Sequence, residues 1–247
     1  MNPASPMPVL RAQDIDRGTA VYNIAVKQSL LVVRIIMIGQ AVTVNDDEYE
    51  IIKLLAKGKG GYNYLAKSGD NVVVVKQIHY EPCDYFQFEE NKLNSELRDY
   101  QILTDIGIPM PKLLFYNQEE QFLIKEYLSG GTLAQIVADN RLSESHIVQI
   151  FDMCLKLYSN HLNIDYFPTN FMERYGELCY VDYECSQYSD EWNFENWGIW
   201  FLANQKGMES FVKDGNHSSL LENGKPVQKG FEELIKRWLL LKKDSTL

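Results

Sequence analysis

Cysteine is scarce in this chain and badly placed for metal or redox chemistry. Cys83, Cys154, Cys179 and Cys185 are the only four, and no two are set in the CxxC spacing of a zinc site or redox pair. They are read as reduced thiols. Long hydrophobic runs are missing as well: Leu30 to Ile38 is interrupted by Arg34, far short of the roughly 20 apolar residues that a membrane helix needs. The start has no basic segment followed by an apolar one, so no secretion signal is expected. Together these absences make a cytoplasmic protein, without a membrane partner, the expectation. Positive charge is also short. With 24 Lys+Arg against 34 Asp+Glu the formal charge is −10, which repels phosphate backbones and anionic lipid and argues against nucleic acid as a partner. No repeat of solenoid period is visible.

What is present is ordinary globular composition, 45% apolar and 23% charged over 247 residues, enough for one large domain or two small lobes. The opening Met1-Asn2-Pro3-Ala4-Ser5-Pro6-Met7-Pro8 reads as a tail. From Val21 to Val44 β-branched residues favour one or two strands. A competing expectation is that translation starts at Met37, and peptide mapping that finds residues before Met37 in the native protein rules it out.

From Tyr49 the pattern changes. Ile51-Ile52 and Leu54-Leu55, the cluster Gly58-Lys59-Gly60-Gly61, then Tyr62 to Ala66 read as strand, turn, strand, and Val72 to Ile78 adds a third antiparallel strand after Ser68-Gly69-Asp70-Asn71. Helical spacing of Leu93, Leu97, Tyr100 and Leu103 predicts a helix between Phe88 and Ile106, stopped by Gly107-Ile108-Pro109. Strands are expected near Lys112–Tyr116 and Gln121–Tyr127. Beyond Ser129-Gly130-Gly131 the chain turns helical, over Thr132–Asp139, Glu144–Tyr158 and Gln228–Lys243, with a short strand pair near Phe171-Met172 and Leu178–Val181. The last helix, with Phe231, Leu234, Ile235 and Trp238 on one face, is read as packed rather than membrane-bound. β-rich first and α-rich second suggests two lobes meeting near residue 127.

Chemistry-bearing residues are distributed along this plan. Gly58, Gly60 and Gly61 allow backbone N–H groups to approach a polyphosphate, but without a following Gly-Lys-Ser/Thr they do not form a Walker loop. A ligand-free hairpin turn is the alternative. Lys76 ends the valine run and suits a phosphate oxygen; otherwise it is a solvated edge lysine. Glu96 flanks the apolar face of the expected helix and could fix Lys76, whereas Glu89, Glu90 and Asp99 read as solvated helix charges. Asp165, Asn170 and Asp182 offer oxygen atoms of the kind Mg²⁺ prefers, though singly each reads as a turn or cap residue. Tyr183, Tyr188, Trp192, Trp197 and Trp200 are read as core, with an aromatic cage for a cationic group as the alternative. Asp190, Glu191 and Glu195 are read as solvated loop acids.

As an ordered set these residues resemble the protein-kinase-like superfamily. Gly58-x-Gly60-x-x-Asn63-x-Leu65 looks like its glycine-rich loop, Val73-Val74-Val75-Lys76 like its third-strand lysine motif, and Glu96 like its helix glutamate. Lys125-Glu126-Tyr127-Leu128-Ser129-Gly130-Gly131 looks like its hinge. Asp165 to Asn170 matches D-x-x-x-x-N, and Asp182-Tyr183-Glu184 stands where D-F-G is expected. The likeness spans about residues 48 to 200. It implies an α+β, bilobal protein-kinase-like fold with a small antiparallel β lobe, its helix and a reduced, mainly helical large lobe. Residues 1–46 would be an N-terminal extension, 47–126 the small lobe and 127–247 the large lobe.

The resemblance also implies roles. ATP and Mg²⁺ are the expected cofactors. Lys76, held by Glu96, would bind the α/β-phosphates; Asn170 and Asp182 would hold Mg²⁺; Asp165 would take or orient the proton of a hydroxyl acceptor; Glu126 and Leu128 would offer backbone groups to adenine. There are departures. The third loop glycine is Asn63, Asn163-Ile164 replaces His-Arg, Phe167 stands where many protein kinases have lysine, Glu184 replaces glycine, and no Ala-Pro-Glu precedes Trp192. Several of these resemble choline kinases, aminoglycoside phosphotransferases and bacterial sugar kinases, in which an acid at the position of Glu184 is frequent. Three functions follow: an atypical Ser/Thr-type protein kinase lacking the usual activation switch, a small-molecule kinase, or a nucleotide-binding regulator without catalysis.

Overall fold

A computed structural model describes residues 21–26, 29–34, 36–58, 60–81 and 91–244, the side chains of 21–34 and 243–244 excepted. Strands β1 (Val21–Val26) and β2 (Ser29–Arg34) form a separate antiparallel hairpin. A curled antiparallel sheet then joins β3 (Ala41–Val44), β4 (Asp47–Lys57), β5 (Gly61–Ser68), β6 (Asn71–Ile78), β7 (Leu113–Asn117) and β8 (Phe122–Glu126), in the order β3-β4-β5-β6-β8-β7. Asn45 and Asp46, with φ of 48° and 72°, make the two-residue turn that closes β3 onto β4, the left-handed conformation that Asn and Asp tolerate best after glycine. The sheet thus starts N-terminal of residue 47, where the sequence reading ends the extension. Register shifts between Ile51 and Lys53 and between Leu54 and Ala56 bulge β4, and bulges add the twist that curls a sheet.

Helix α1 (Lys92–Asp105) is capped by the Asn91 side chain, which accepts from the Asn94 N–H, and is ended by Gly107 at φ +75°. The expected start at Phe88 lies outside the described residues, as do Cys83, Glu89, Glu90 and the tail at 1–8. Leu93 of α1 packs with Ile78, Leu123 and Tyr183 between the sheet and the rest of the chain.

The C-terminal part is mainly helical. It contains α2 (Leu133–Ala138), α3 (Glu144–Ser159), α4 (Ile199–Ala203), α5 (Gln205–Asp214) and α6 (Glu232–Asp244). Short strands β9 (Leu162–Asn163), β10 (Phe171–Arg174), β11 (Glu177–Tyr180) and β12 (Ser186–Gln187) pair as β10-β11 and β9-β12. Leu133, Ile150, Phe151, Phe171 and Phe194 belong to one buried core here, while Ile51, Val75 and Ile124 belong to a second core in the sheet. Ile235 and Trp238 of α6 are buried in the first core, so this helix spends its apolar face on packing. Among the described residues no helix is long and apolar enough to cross a membrane.

The chain passes between the two cores at Leu128 to Thr132, where space is the constraint. A Cβ built on Gly130 would sit 1.7 Å from the Glu173 carbonyl oxygen of β10, and the Glu173 N–H donates to the Gly131 carbonyl at 3.0 Å. Backbone against backbone leaves no flexible atom to yield. Gly130→Ala is therefore expected to lower stability by about 1–3 kcal/mol, the usual range for overpacking, as read from the denaturant midpoint.

Candidate functional site

Lys76 lies within the interior strand β6, with both neighbours in place, β5 on one side and β8 on the other. Its side chain is therefore buried, 5% exposed, and not a solvated edge lysine. The Nζ lies 2.8 Å from Glu96 Oε1 on α1 and 3.0 Å from Asp182 Oδ1 just beyond β11. Three separate segments converge on one ammonium. Burial alone would lower the Lys76 pKa, but the charges of Asp182, Glu96 and Glu184 outweigh it and hold the group above its ordinary range. Burial likewise pushes the Glu96 carboxyl up, against the pull of Lys76. Asp182 moves the other way: burial opposes its ionisation, yet Lys76 and Lys125 bring it down to about 2.

The glycine hairpin lies over this cluster. Gly58 N–H donates to the Gly61 carbonyl at 2.8 Å, and His79 N–H donates to the Gly60 carbonyl at 3.1 Å. A Cβ on Gly61 would meet Lys76 Cε at 2.8 Å, and one on Gly60 would meet Lys92 Cε at 2.5 Å. Glycine at 60 and 61 is thus what lets the backbone approach the two lysines. Gly58 has no such neighbour; the nearest atom to its added Cβ is the Gly61 carbonyl oxygen at 3.8 Å.

Asp165 is exposed, and its Oδ1 accepts from the Phe167 N–H at 3.0 Å. Asn170 Nδ2 donates to the Asp165 carbonyl at 3.3 Å, and the Asn170 carbonyl accepts from the Val181 N–H at 2.8 Å. This ladder brings the Asp165–Asn170 loop to the residue before Asp182. The remaining Asn170 oxygen and the Asp182 carboxylate are hard oxygen donors that suit Mg²⁺, a cation that typically takes few protein ligands and completes its shell with water and phosphate. Among the described residues no three His, Cys, Asp or Glu side chains assemble as a metal cage.

Helix α1 grips the Asp182–Cys185 segment along one face. Lys92 pairs with Glu184, Glu96 reaches Asp182 through Lys76, and Asp99 Oδ2 accepts from the Cys185 N–H at 3.2 Å. Asp99 is therefore buried and engaged, correcting its reading as a solvated charge. Tyr183 is 1% exposed, tilts against Tyr100 at 4.6 Å and donates its hydroxyl to the Pro111 carbonyl at 2.6 Å. The Glu184 side chain is occupied by Lys92.

At the sheet's exit, the Glu126 N–H donates to the Lys112 carbonyl at 2.9 Å and the Glu126 carboxylate takes Arg174 at 2.6 Å. The Leu128 carbonyl accepts from the Gly130 N–H at 3.1 Å. The residues read as core or as an aromatic cage do not form one enclosure: Tyr183 packs with the sheet cluster, Trp197 and Trp200 lie against the helical core, Trp192 tilts against Trp197 at 4.3 Å but is exposed and so not core, and Tyr188 meets Tyr158 edge to face. Glu195 binds Lys242 and Tyr158, so it is no solvated loop acid.

Sequence reasoning missed two lysines. Lys92 stands four residues before Glu96, a helical spacing that could have revealed it. Lys125, read only as part of the hinge, is 6% exposed, donates to the Val181 carbonyl at 2.6 Å and lies 5.1 Å from the Tyr183 ring centre. Glu96→Ala is expected to cost about 3 kcal/mol in chemical denaturation. That is the low end for breaking a buried ion pair, because Asp182 still partners Lys76.

No protein-family model matches the chain. Over 101 residues it is 32% identical to serine/threonine-protein kinase D of Synechocystis, covering 36% of this chain and 20% of that protein. Over 111 residues it is 29% identical to a probable serine/threonine protein kinase of Arabidopsis thaliana, covering 42% of this chain and 8% of that protein. The chain thus spans a fifth or less of the length of these curated relatives, and the partial likeness supports a kinase-like relationship.

Proposed function

We propose that the protein is an ATP-dependent phosphotransferase that moves the γ-phosphate of ATP to a hydroxyl acceptor, as an atypical Ser/Thr-type protein kinase. The observation that carries this reading is the convergence of Glu96 and Asp182 on Lys76 at 2.8 and 3.0 Å. An ammonium held between two carboxylates beside a glycine hairpin is placed for phosphate oxygens. In this reading residues 47–126 form the lobe over the nucleotide, residues 127–247 form the lobe that carries the acceptor side, and residues 1–46 precede them. Glu126 and Leu128 present backbone groups to adenine, and Gly58, Gly60 and Gly61 cover the phosphates.

Lys76, oriented by Glu96, neutralises the α/β-phosphates. Asn170 and Asp182 would hold Mg²⁺, which supplies charge neutralisation to the phosphates when bound. Asp165 takes the proton of the acceptor hydroxyl as its oxygen bonds to the γ-phosphorus and ADP leaves. Little covalent help from the protein is needed in such a transfer, so positioning and electrostatics carry the rate. The names of the two partial relatives support the protein-kinase form of this reading.

A small-molecule acceptor is the second reading, and one observation favours it. The stretch after Asp182 is short and bound down: Ser186 pairs with Asn163, and the Tyr188 N–H donates to the His161 carbonyl at 2.9 Å. That leaves little free chain to cradle a peptide.

The test is labelled ATP supplied with a protein extract and a metabolite pool together. Label is expected in the protein fraction and only with Mg²⁺; label confined to metabolites selects the second reading, and nucleotide binding without transfer selects a non-catalytic regulator. Asp182→Ala should abolish Mg²⁺-dependent transfer, and Asp165→Asn should slow turnover by roughly 10²–10⁴, the range for general-base catalysis. Unchanged rates in both variants would falsify the site.

A further inference from the structure

Lys125 occupies a position that a lysine has little physical reason to hold. It lies in β8, opposite Val74 of β6 and Leu113 of β7, with Phe122, Leu123 and Ile124 before it all buried. Among the described residues no carboxylate lies within ion-pair distance of its ammonium. Burying an ammonium without a paired carboxylate is costly, and burial together with the nearby Lys76 charge lowers its pKa to about 8. What it touches is specific: its Nζ donates to the Val181 carbonyl at 2.6 Å and faces the Tyr183 ring at 5.1 Å.

The Val181 carbonyl belongs to the peptide that leads into Asp182. The N–H of Val181 is already taken by the Asn170 carbonyl at 2.8 Å. Val181 is therefore held from both sides, by the Asp165–Asn170 loop through its N–H and by the curled sheet through its carbonyl. The Asn170 bond holds the peptide before Val181 and the Lys125 bond holds the peptide between Val181 and Asp182, so Lys125 is what restrains the plane that leads into Asp182. Tyr183, on the other side of Asp182, is pinned by the Pro111 carbonyl and by the ring face that Lys125 approaches.

We infer that Lys125 is a positioning residue: through the Val181 carbonyl it fixes the backbone that aims the Asp182 carboxylate at Lys76 and at a bound cation. The inference rests on the phosphotransferase reading for its purpose, but the contact itself does not depend on that reading. Lys125 acts on Asp182 and not on the nucleotide, so its loss should be seen where Asp182 is needed and not elsewhere.

Two measurements on the full chain test it, with Lys125→Met, which keeps the stem and removes the donor, and Lys125→Gln, which keeps a neutral donor. The first is amide hydrogen exchange without metal or nucleotide. Lys125→Met should exchange about tenfold faster at Asp182 and Tyr183, with α3 unchanged as the internal control for folding. The second is calorimetric binding of a non-hydrolysable ATP analogue with Mg²⁺ and with EDTA. Lys125→Met should lose about tenfold in affinity with Mg²⁺ and nothing in EDTA, and Lys125→Gln should recover part of the loss. Unchanged exchange at Asp182 and Tyr183 in a folded Lys125→Met overturns the inference, and so does an equal loss of affinity with and without Mg²⁺, which would make Lys125 a direct nucleotide contact. If Lys125→Met does not fold, Lys125→Gln is read by the same two measurements: faster exchange at Asp182 and Tyr183 and a loss of affinity confined to Mg²⁺, each less than tenfold, are expected, and the absence of both overturns the inference. If the wild-type protein binds no nucleotide, the phosphotransferase reading fails while hydrogen exchange still decides the role of Lys125.

Discussion

The buried ammonium of Lys76 is the constraint around which the rest of the molecule is arranged. A charge taken out of water is tolerated only when opposite charges and hydrogen bonds replace its hydration, and here the two replacements come from parts of the chain far apart in sequence. Glu96 arrives on α1 and Asp182 on the segment after β11. For them to meet Lys76, the helix must lie against the sheet and the segment after β11 must reach both. The small apolar cluster of Ile78, Leu93, Leu123 and Tyr183 does this work, each residue being next to or near a member of the charged set. Apolar packing and the ion cluster are thus two aspects of one junction, since losing the packing would expose the charges and losing the charges would strand a partner.

Most of the strands and helices were legible because their signals are local. The β-branched run at Val72–Ile78 and the three- and four-residue spacing in Leu93, Leu97 and Tyr100 each point to one element without help from elsewhere. The element edges were less so. Glu144–Ser159 needed only its own periodicity, whereas the segment at Phe194–Gly198 folds as a wide π-helical turn before α4, and a Cβ on Gly198 there would meet Tyr166 at 2.4 Å, a tertiary contact that no local pattern announces.

In the site, the residues proposed for phosphate and metal could be found as an ordered set of motifs, but their supports could not. Asp99 carries charge, and a charge on a helix is by default solvated, so local pattern reasoning assigns it to the surface; Lys125 was read only as part of the hinge. Only tertiary structure reverses this: β8 is covered on both faces, and Asp99 meets a backbone N–H from a segment 86 positions further along the chain. A charged residue inside an otherwise apolar strand, as in Phe122-Leu123-Ile124-Lys125, is the one sequence feature that could have prompted the question. Glu195 was hidden for the same reason, its partner Lys242 being brought in by the packing of α6.

The way α1 holds its partners also bears on how the site can change. Lys92, Glu96 and Asp99 lie at steps of four and three, hence on one face of the helix, and each engages a different point of the Lys76–Asp182–Cys185 region. A rotation or outward swing of α1 cannot break one of these contacts and keep the others. Glu96 would leave Lys76, Asp99 would leave the Cys185 N–H, and Lys92 would leave Glu184 together. Each break strands a buried or half-buried polar group, so partial states are costly and the assembled arrangement is the stable one without any added group to hold it. The short stretch after Asp182 reinforces this, since it is paired to β9 and has no slack with which to follow a moving helix. The cluster is thus tied to the position of α1, and whatever displaced the helix would undo its three contacts together.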